Sequence, residues 1–208
     1  ILRRGKYGTP NLMSEALSNP ESFMELIDLA YGSSRPDDAA LASNRDAIAE
    51  TARSFLRNAR GVPGLRPDGC VNADSFFSWI EIVRHLSEEK GILEITDITI
   101  GTWLSNWPCK NGLKCWPEPM IAELLDQENC ADLRRGFRTG VYNARGTSSR
   151  LPYDGGDQER GIADIFRGHA IEWGNSRPNL AEMIEGLAKS YEREARDHDE
   201  SGLWTQES

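Results

Sequence analysis

The 208-residue sequence predicts an all-α fold in which about eight to nine amphipathic helices pack in two layers. Apolar residues recur every three or four positions in successive segments. Proline and capping residues open these segments, and glycine closes several of them. Because successive helix pairs have short connections, the end of an α-solenoid is the alternative architecture.

The first two predicted helices follow from their start and stop signals. Asn19, Pro20 and Glu21 supply a capping side chain, a first-turn proline and an acid near the positive end of the helix dipole. Gly32 ends this helix, and the next is predicted over residues 37–59. Its predicted buried face consists of Leu41, Ile48, Ala52, Phe55 and Leu56.

A turn-rich segment over residues 61–72 is the best candidate for an internal boundary. We therefore predict an N-terminal helical segment over residues 1–65, which continues from a longer protein, and a C-terminal helical domain over residues 66–208. One continuous domain is the alternative. The chain begins with Ile1 rather than methionine, as a piece of a longer polypeptide would.

The middle of the chain contains one clear helix and one ambiguous segment. Asn72 is expected to cap an amphipathic helix that ends at Gly91. Residues 92–104 are rich in isoleucine and threonine, which favour a strand. A cap at Thr96 and Asp97 would instead begin a short helix. We predict the helix, with a small strand pair near residues 92–100 as the alternative.

Pro117 and Asn129 are predicted to open the next two helices. In the second, Leu133 and Phe137 belong to an apolar stripe. Small residues, Gly136, Gly140 and Ala144, form another stripe on a different face. Since glycine inside a helix costs about 1 kcal/mol relative to alanine, close packing on both faces is expected.

The last two predicted helices begin at Asp157, as a cap, and at Pro178. The final tail after Asp197 is expected to be mobile. The predicted apolar positions of the first of these helices are Ile162, Ile165, Phe166, His169 and Trp173.

Charge and composition exclude several classes of protein. The chain has 33 acidic and 24 basic residues and a net charge of -9, which argues against a general nucleic-acid or anionic-membrane binder. No apolar run approaches the ~20 residues of a membrane span. The four cysteines do not form a disulfide framework, which favours a reducing cytoplasm.

We expect no metal, no cofactor and no catalytic residue. Cys109, Cys115 and Cys130 have poor spacing for zinc, and the three histidines are predicted to lie on separate helices. His169 and Glu172 are one helical turn apart, which is common on helix surfaces. The common nucleophile and phosphate-binding motifs are absent from the sequence. An enzyme with an unrecognised site is the alternative.

Residues 129–168 carry seven arginines and five acids in an otherwise acidic chain. Arginine is suited to recognise phosphate, so an anion- or nucleic-acid-binding helical module using residues 134–167 is one alternative. Ion pairs with nearby acids are the preferred interpretation. The seven arginines are Arg134, Arg135, Arg138, Arg145, Arg150, Arg160 and Arg167.

Any binding site is predicted around the long glycine-rich loop that joins the helices ending near Asn143 and starting near Asp157. We favour a structural role, in which Glu159 pairs with Arg145 or Arg150 and fixes the loop. The candidate cluster consists of Asn143, Arg145, Arg150, Tyr153, Asp157, Gln158, Glu159 and Arg160.

Four short runs resemble the C-terminal region of large uncharacterised bacterial proteins with helical-repeat-like upstream regions. The resemblance covers nearly the whole chain and departs in the cysteine- and lysine-rich loop over residues 107–115. It implies no activity, cofactor or catalytic residue. The runs are residues 116–117, 140–146, 155–160 and 190–195.

Together these features predict a non-catalytic C-terminal interaction or regulatory module of a larger cytoplasmic bacterial protein. Its expected partner is a protein or another domain of the same polypeptide. Nucleic acid is a less favoured partner, and no membrane association is expected.

Overall fold

The computed structural model describes residues 16, 18–32, 39–58, 62–65, 71–107, 116–145 and 155–206. Within these ranges the fold is all-α, as predicted, with eight α-helices and no strand. An isolated antiparallel bridge joins Leu65 to Val71. A short 3-10 helix covers Glu128–Cys130. The α-helices are α1 (Pro20–Tyr31), α2 (Ala39–Asn58), α3 (Ala73–Glu89), α4 (Leu93–Leu104), α5 (Pro119–Asp126), α6 (Ala131–Ala144), α7 (Asp157–Trp173) and α8 (Pro178–Gln206).

Two predicted helix caps are confirmed. The side chain of Asn19 accepts a hydrogen bond of 3.0 Å from the backbone N–H of Glu21 at the start of α1. Asn72 accepts one of 2.9 Å from the N–H of Ser75 at the start of α3. Each bond satisfies one of the N–H groups that a helix start leaves without an intrahelical partner.

The segment over residues 92–104 is a helix, as predicted, but its cap was wrongly assigned. Thr96 and Asp97 lie inside α4 and are buried. The hydroxyl of Thr96 donates to the carbonyl of Ile92 at 3.0 Å. Arg84 Nε donates to both carboxylate oxygens of Asp97, at 3.1 and 3.3 Å. The acid therefore holds α3 against α4 rather than capping a helix.

Three other predicted helix starts differ from the observed ones by one or two residues. The helix expected at Pro117 begins at Pro119, because Glu118 has the extended conformation that a following proline favours. The helix expected at Asn129 starts as α6 only after the 3-10 turn. At α7 the N-cap is Gly156, so Asp157 is the first helical residue.

The chain divides into two compact units, Ile1–Trp107 and Pro108–Ser208. This division lies well after the boundary predicted between residues 65 and 66. The reason is that α1 packs against both α2 and α3, so helices on either side of the turn-rich segment belong to one unit. The core of the first unit includes a ring cluster of Phe23, Trp79 and Trp103, with centroids 4.8 to 6.2 Å apart.

The buried face of α2 differs from the predicted one. It runs through Ala49, Ala52 and Leu56, whereas Ile48 is 46% exposed. Adjacent residues lie about 100° apart around a helix, so burial of Ala49 places Ile48 at the edge of the interface. The side chain of Leu41, also predicted here, lies outside the described residues.

The second unit is built around the pair α7 and α8, which make the most extensive contact among the described helices. Its core includes Ala163, Ala188 and Tyr191, with Phe166 packed against them. Ile165 was wrongly predicted to be buried and is 62% exposed. It lies about 200° around the helix from the buried Ala163.

Helix α6 packs against α5 and α8. Gly136, Phe137 and Gly140 are all buried, as expected of a helix with neighbours on two sides. Helix α8 continues beyond Asp197 to Gln206, so the described part of the tail predicted to be mobile is helical. None of the described helices combines the length and apolar character needed to cross a membrane.

The buried pair between Arg84 and Asp97 gives a first prediction. Arg84→Ala should lower the free energy of unfolding by about 3 kcal/mol, because it leaves a buried carboxylate without its cation. Urea unfolding followed by tryptophan fluorescence measures this loss. Glu89→Ala, which removes an exposed partner of His85 on the same helix, is the control and should cost much less. Equal losses in the two variants would contradict the prediction.

Candidate functional site

The candidate cluster is divided between the end of α6 and the start of α7. Arg150 and Tyr153 lie in the connecting loop, outside the described residues. Asn143 in the last turn of α6 and Gln158 in the first turn of α7 are both exposed. The other four residues of the cluster, Arg145, Asp157, Glu159 and Arg160, form ion pairs.

Arg145 links three helices at the centre of the cluster. It directly follows α6, and its guanidinium donates to Glu159 of α7 and, at 3.0 Å, to Glu194 of α8. Glu159 is 0% exposed. The guanidinium also lies 5.3 Å from the ring centroid of Tyr191, within the range of a cation–π contact.

The chemistry of these groups explains the arrangement. A buried carboxylate is unfavourable unless it is paired, and the guanidinium offers several donors in one plane. Burial raises the pKa of the Tyr191 hydroxyl, and the charge of Arg145 opposes this rise in part. The pairing of Glu159 with Arg145, favoured from the sequence, is therefore present as a buried structural contact.

A second group of contacts fixes the start of α7 to the distal part of α8. Arg160 pairs with Asp157 at 3.0 Å and with Asp199. Asp199 also accepts a 2.8 Å hydrogen bond from the backbone N–H of Gly156. The hydrogen bond from Arg160, followed by that from Gly156, lowers the pKa of Asp199.

Gly156 is required by the close approach of two backbones. A Cβ atom at this position would lie 2.2 Å from the carbonyl oxygen of Ala195 on α8. The preceding Gly155 has a φ of 56°, a conformation that other residues rarely adopt. These two glycines let the chain enter α7 directly against α8.

Sequence reasoning missed the acidic partners on α8. Glu194 lies 49 residues from Arg145, and Asp199 lies 39 residues from Arg160. Neither distance along the chain suggests a contact. The available signal was the density of acids on the last helix, which was interpreted as a charged outer face.

Three other described arginines of the basic stretch, Arg134, Arg135 and Arg167, also make contacts within the chain. Arg134 donates to the carbonyls of Leu125 and Gln127, both at 2.7 Å, at the end of α5. Arg167 pairs with Asp164 at 2.8 Å and with Glu192. Arg135 pairs with Asp132 at 3.4 Å. These contacts favour the interpretation that the arginines form ion pairs and hydrogen bonds within the chain, rather than a joint binding site for an anionic ligand.

The residues considered for metal binding or catalysis are dispersed or engaged in packing. Among the described residues, no group of three or more potential ligands could hold a metal. Cys130 is buried, with its Sγ 3.7 Å from Gln127 Oε1, and Cys109 and Cys115 lie outside the described residues. His169 Nδ1 is 3.3 Å from a Glu172 oxygen, and its ring lies 5.5 Å from that of Trp116.

An open groove in the first unit is a second candidate surface. It has a volume of about 470 Å³ and lies between α1 and α2. Leu29, which is 49% exposed, and Ile48 provide its apolar surface. Arg45 donates to the carbonyl of Gly32 at 3.1 Å. The remaining lining residues are acidic, Glu25 and Asp28.

This groove was not predicted, since Ile48 was assigned to the core. Asp28 forms an ion pair with Lys90, which directly follows α3, while Glu25 is exposed. The result is an apolar patch beside a carboxylate, on a surface made by two packed helices. Such a surface can bind an apolar side chain that has a basic neighbour.

No family model, no curated protein and no solved structure matches the chain.

The buried Glu159 gives a second prediction. Glu159→Ala should lower the free energy of unfolding by about 2 kcal/mol, because Arg145 loses a charge-assisted hydrogen bond to a buried carboxylate and keeps only the one to Glu194. Chemical denaturation measures the change. Asp157→Ala, in the same helical turn but highly exposed, is the matched control and should have little effect. Unchanged stability in the Glu159 variant would rule out a structural role.

A third prediction concerns the loss of stability at acidic pH. Because the folded-state pKa of Asp199 is lowered, the unfolded chain binds this proton more readily. Its stabilising contribution is present above the unfolded pKa of about 3.9 and is lost as the pH falls through the folded value. Asp199→Asn should therefore flatten the dependence of stability on pH below about 4. Urea midpoints across this range test it, and parallel curves for both proteins would contradict it.

Proposed function

We propose that the chain is a non-catalytic interaction module of a larger cytoplasmic bacterial protein, and that it binds a protein segment in the groove between α1 and α2. The observation that carries this proposal is the exposure of Leu29 and Ile48 side by side on two packed helices. A bound apolar side chain would remove both from water. The cytoplasmic setting rests on the small number of cysteines, four in 208 residues.

The groove favours one class of ligand. Its apolar surface lies next to Glu25, so the complementary segment has a large apolar residue followed or preceded by lysine or arginine. An amphipathic helix presents such residues at a spacing of three or four. The partner is accordingly a helical segment, either in another protein or elsewhere in the same polypeptide.

An anion- or nucleic-acid-binding function has less support. It would use arginines 134–167, and five of the six described members of this set bind carboxylates or carbonyls within the chain. Releasing Arg145, Arg160 and Arg167 to a phosphate would break contacts that hold α7 to α8. The protein-binding function requires no such rearrangement.

Selection of displayed random peptides on the purified chain tests the proposal. We expect enrichment of peptides that combine a large apolar residue with a basic one. Leu29→Asp and Ile48→Asp should each weaken binding of the selected peptides at least about tenfold, since they place a charge in the apolar contact. Ile82→Asp is the matched control, because Ile82 is a similarly exposed isoleucine on α3 of the same unit.

A second measurement addresses the competing function. Binding of a fluorescent oligonucleotide at low ionic strength should be undetectable, since the chain carries a net charge of -9. Salt-sensitive oligonucleotide binding would favour the basic stretch instead. Peptides that bind the Leu29 and Ile48 variants as well as the parent would refute the groove as the binding site.

A further inference from the structure

The outward face of α1 carries a row of carboxylates beside the apolar part of the α1–α2 groove. Glu21, Glu25 and Asp28 lie within about 60° of one another around the helix axis. Glu25 and Asp28 line the groove together with Leu29, whereas Glu21 lies one turn closer to the start of α1. Residues three positions apart on a helix have Cβ atoms about 5–6 Å apart. One group of a ligand can therefore contact both Glu25 and Asp28.

The two carboxylates of the groove differ in their contacts. Lys90 donates to Oδ2 of Asp28. Within the described part of the chain, Oδ1 of Asp28 accepts no hydrogen bond and Glu25 forms no ion pair. The groove therefore offers acceptor oxygens on two neighbouring acids, of which one is already shared with a lysine.

The cations beside the groove offset its acids. Arg45 also lines the groove, and its guanidinium donates to the carbonyl of Gly32 just after α1. The formal charges of Glu25, Asp28, Arg45 and Lys90 add up to zero. A ligand cation therefore gains little from the net charge of the groove, and the geometry of its hydrogen bonds becomes decisive. Glu25 is the acid further from Arg45, since it lies about 10 Å along the helix axis from Gly32.

We propose that the groove selects arginine over lysine as the basic residue of its ligand, and that the guanidinium bridges Glu25 and Asp28. This inference rests on the proposed function, because it concerns the peptide that binds the α1–α2 groove. A guanidinium presents five N–H donors in one plane, so it can donate to one oxygen of each acid while Lys90 keeps Oδ2 of Asp28. The ammonium of a lysine is a compact, strongly hydrated point charge, and it contacts Glu25 alone.

The second unit of the chain contains a contact of the same type. Arg145 donates to Glu159 and to Glu194 through its two terminal nitrogens. The proposed contact is more exposed, since the Asp28 side chain keeps 42% of its surface in solvent. Exposed charge pairs contribute little to affinity, so we expect the bridge to determine specificity more than binding strength.

The apolar residues of the groove position the arginine. Glu25 and Leu29 are four residues apart, which is about 6 Å along α1 and about 40° around it. On a helical ligand, an arginine three or four positions from the apolar residue is also about one turn, or about 5 Å, away. A ligand helix aligned with α1 thus places its apolar residue on Leu29 and its guanidinium beside Glu25.

Fluorescence anisotropy with a labelled peptide tests the selectivity. The probe is a peptide from the displayed library whose binding depends on Leu29 and Ile48. It is made in three versions, with arginine, lysine or the uncharged citrulline at the basic position. We expect the arginine peptide to bind about three- to tenfold more tightly than the lysine peptide, because it forms one more charge-assisted hydrogen bond. The citrulline peptide should bind least tightly, since it keeps the shape of arginine without the charge.

Substitution of either groove acid should remove the preference for arginine. Glu25→Gln and Asp28→Asn each leave one carboxylate, so the arginine and lysine peptides should bind within about twofold of each other. Glu21→Gln is the matched control, because it removes a charge from the same face of α1 outside the groove. It should keep the preference for arginine. Circular dichroism checks that all three variants remain folded.

Lys90→Gln tests the competition for Asp28. Loss of the ammonium should tighten binding of both peptides by about three- to fivefold at low ionic strength. The lysine peptide should gain more, because the second carboxylate becomes available to it, and the preference for arginine should shrink. Lys189→Gln is the control, since it removes a lysine that pairs with Glu185 at 3.9 Å in the second unit. It should leave both affinities unchanged.

The possible failures of the two proposals are distinguishable. Equal binding of the arginine and lysine peptides to the parent chain would overturn the selectivity. A preference for arginine that persists in both Glu25→Gln and Asp28→Asn would overturn the bridging contact. In both cases the peptides still bind through Leu29 and Ile48, so only this inference fails. If no peptide of the library depends on Leu29 and Ile48, the proposed function fails and this inference fails with it.

Discussion

The arrangement of the second unit depends on one buried carboxylate. Glu159 lies in the first turn of α7 with no exposed surface, and Arg145 is the cation that it contacts. Because the same guanidinium binds Glu194 on α8, the end of α6 and the start of α7 are held to one point on the longest helix. Removing Arg145 would leave the buried Glu159 carboxylate without this cation, which is far more costly than losing a surface ion pair.

The second anchor works through the backbone. Gly156 lies so close to Ala195 that no side chain fits, and its N–H donates to Asp199. Arg160 binds the same carboxylate, so α8 holds α7 at two levels along its length. The glycine-rich loop, predicted to be a binding site, is thus flanked on both sides by residues with structural contacts, Arg145 before it and Gly156 after it. Arg150 and Tyr153, the two members of the candidate cluster within that loop, lie outside the described residues and stay a prediction.

The parts of the fold that could be predicted are those determined by residues close together in the sequence. The caps at Asn19 and Asn72 involve residues two and three positions apart, and both were identified correctly. Contacts between distant residues carry no such signal. Thr96 and Asp97 have the composition of a cap, but Arg84 on the preceding helix binds Asp97 and places it inside α4. In the same way, the acids on α8 that complete the candidate cluster could not be assigned from spacing alone.

The incorrectly assigned isoleucines have a common cause. Helical periodicity gives the direction of an apolar stripe only to within one neighbouring position, or about 100°. Alanine at position 49 on α2, and at position 163 on α7, allows close helix packing and takes the centre of each interface. Ile48 and Ile165 are thereby displaced towards solvent. Ile48 and Ile165 are predicted by the pattern to be buried, but the fold leaves them exposed. The local sequence preference for burial is therefore not satisfied within the chain. Contacts with another molecule would satisfy it, and the proposed groove between α1 and α2 contains one of these two residues, Ile48.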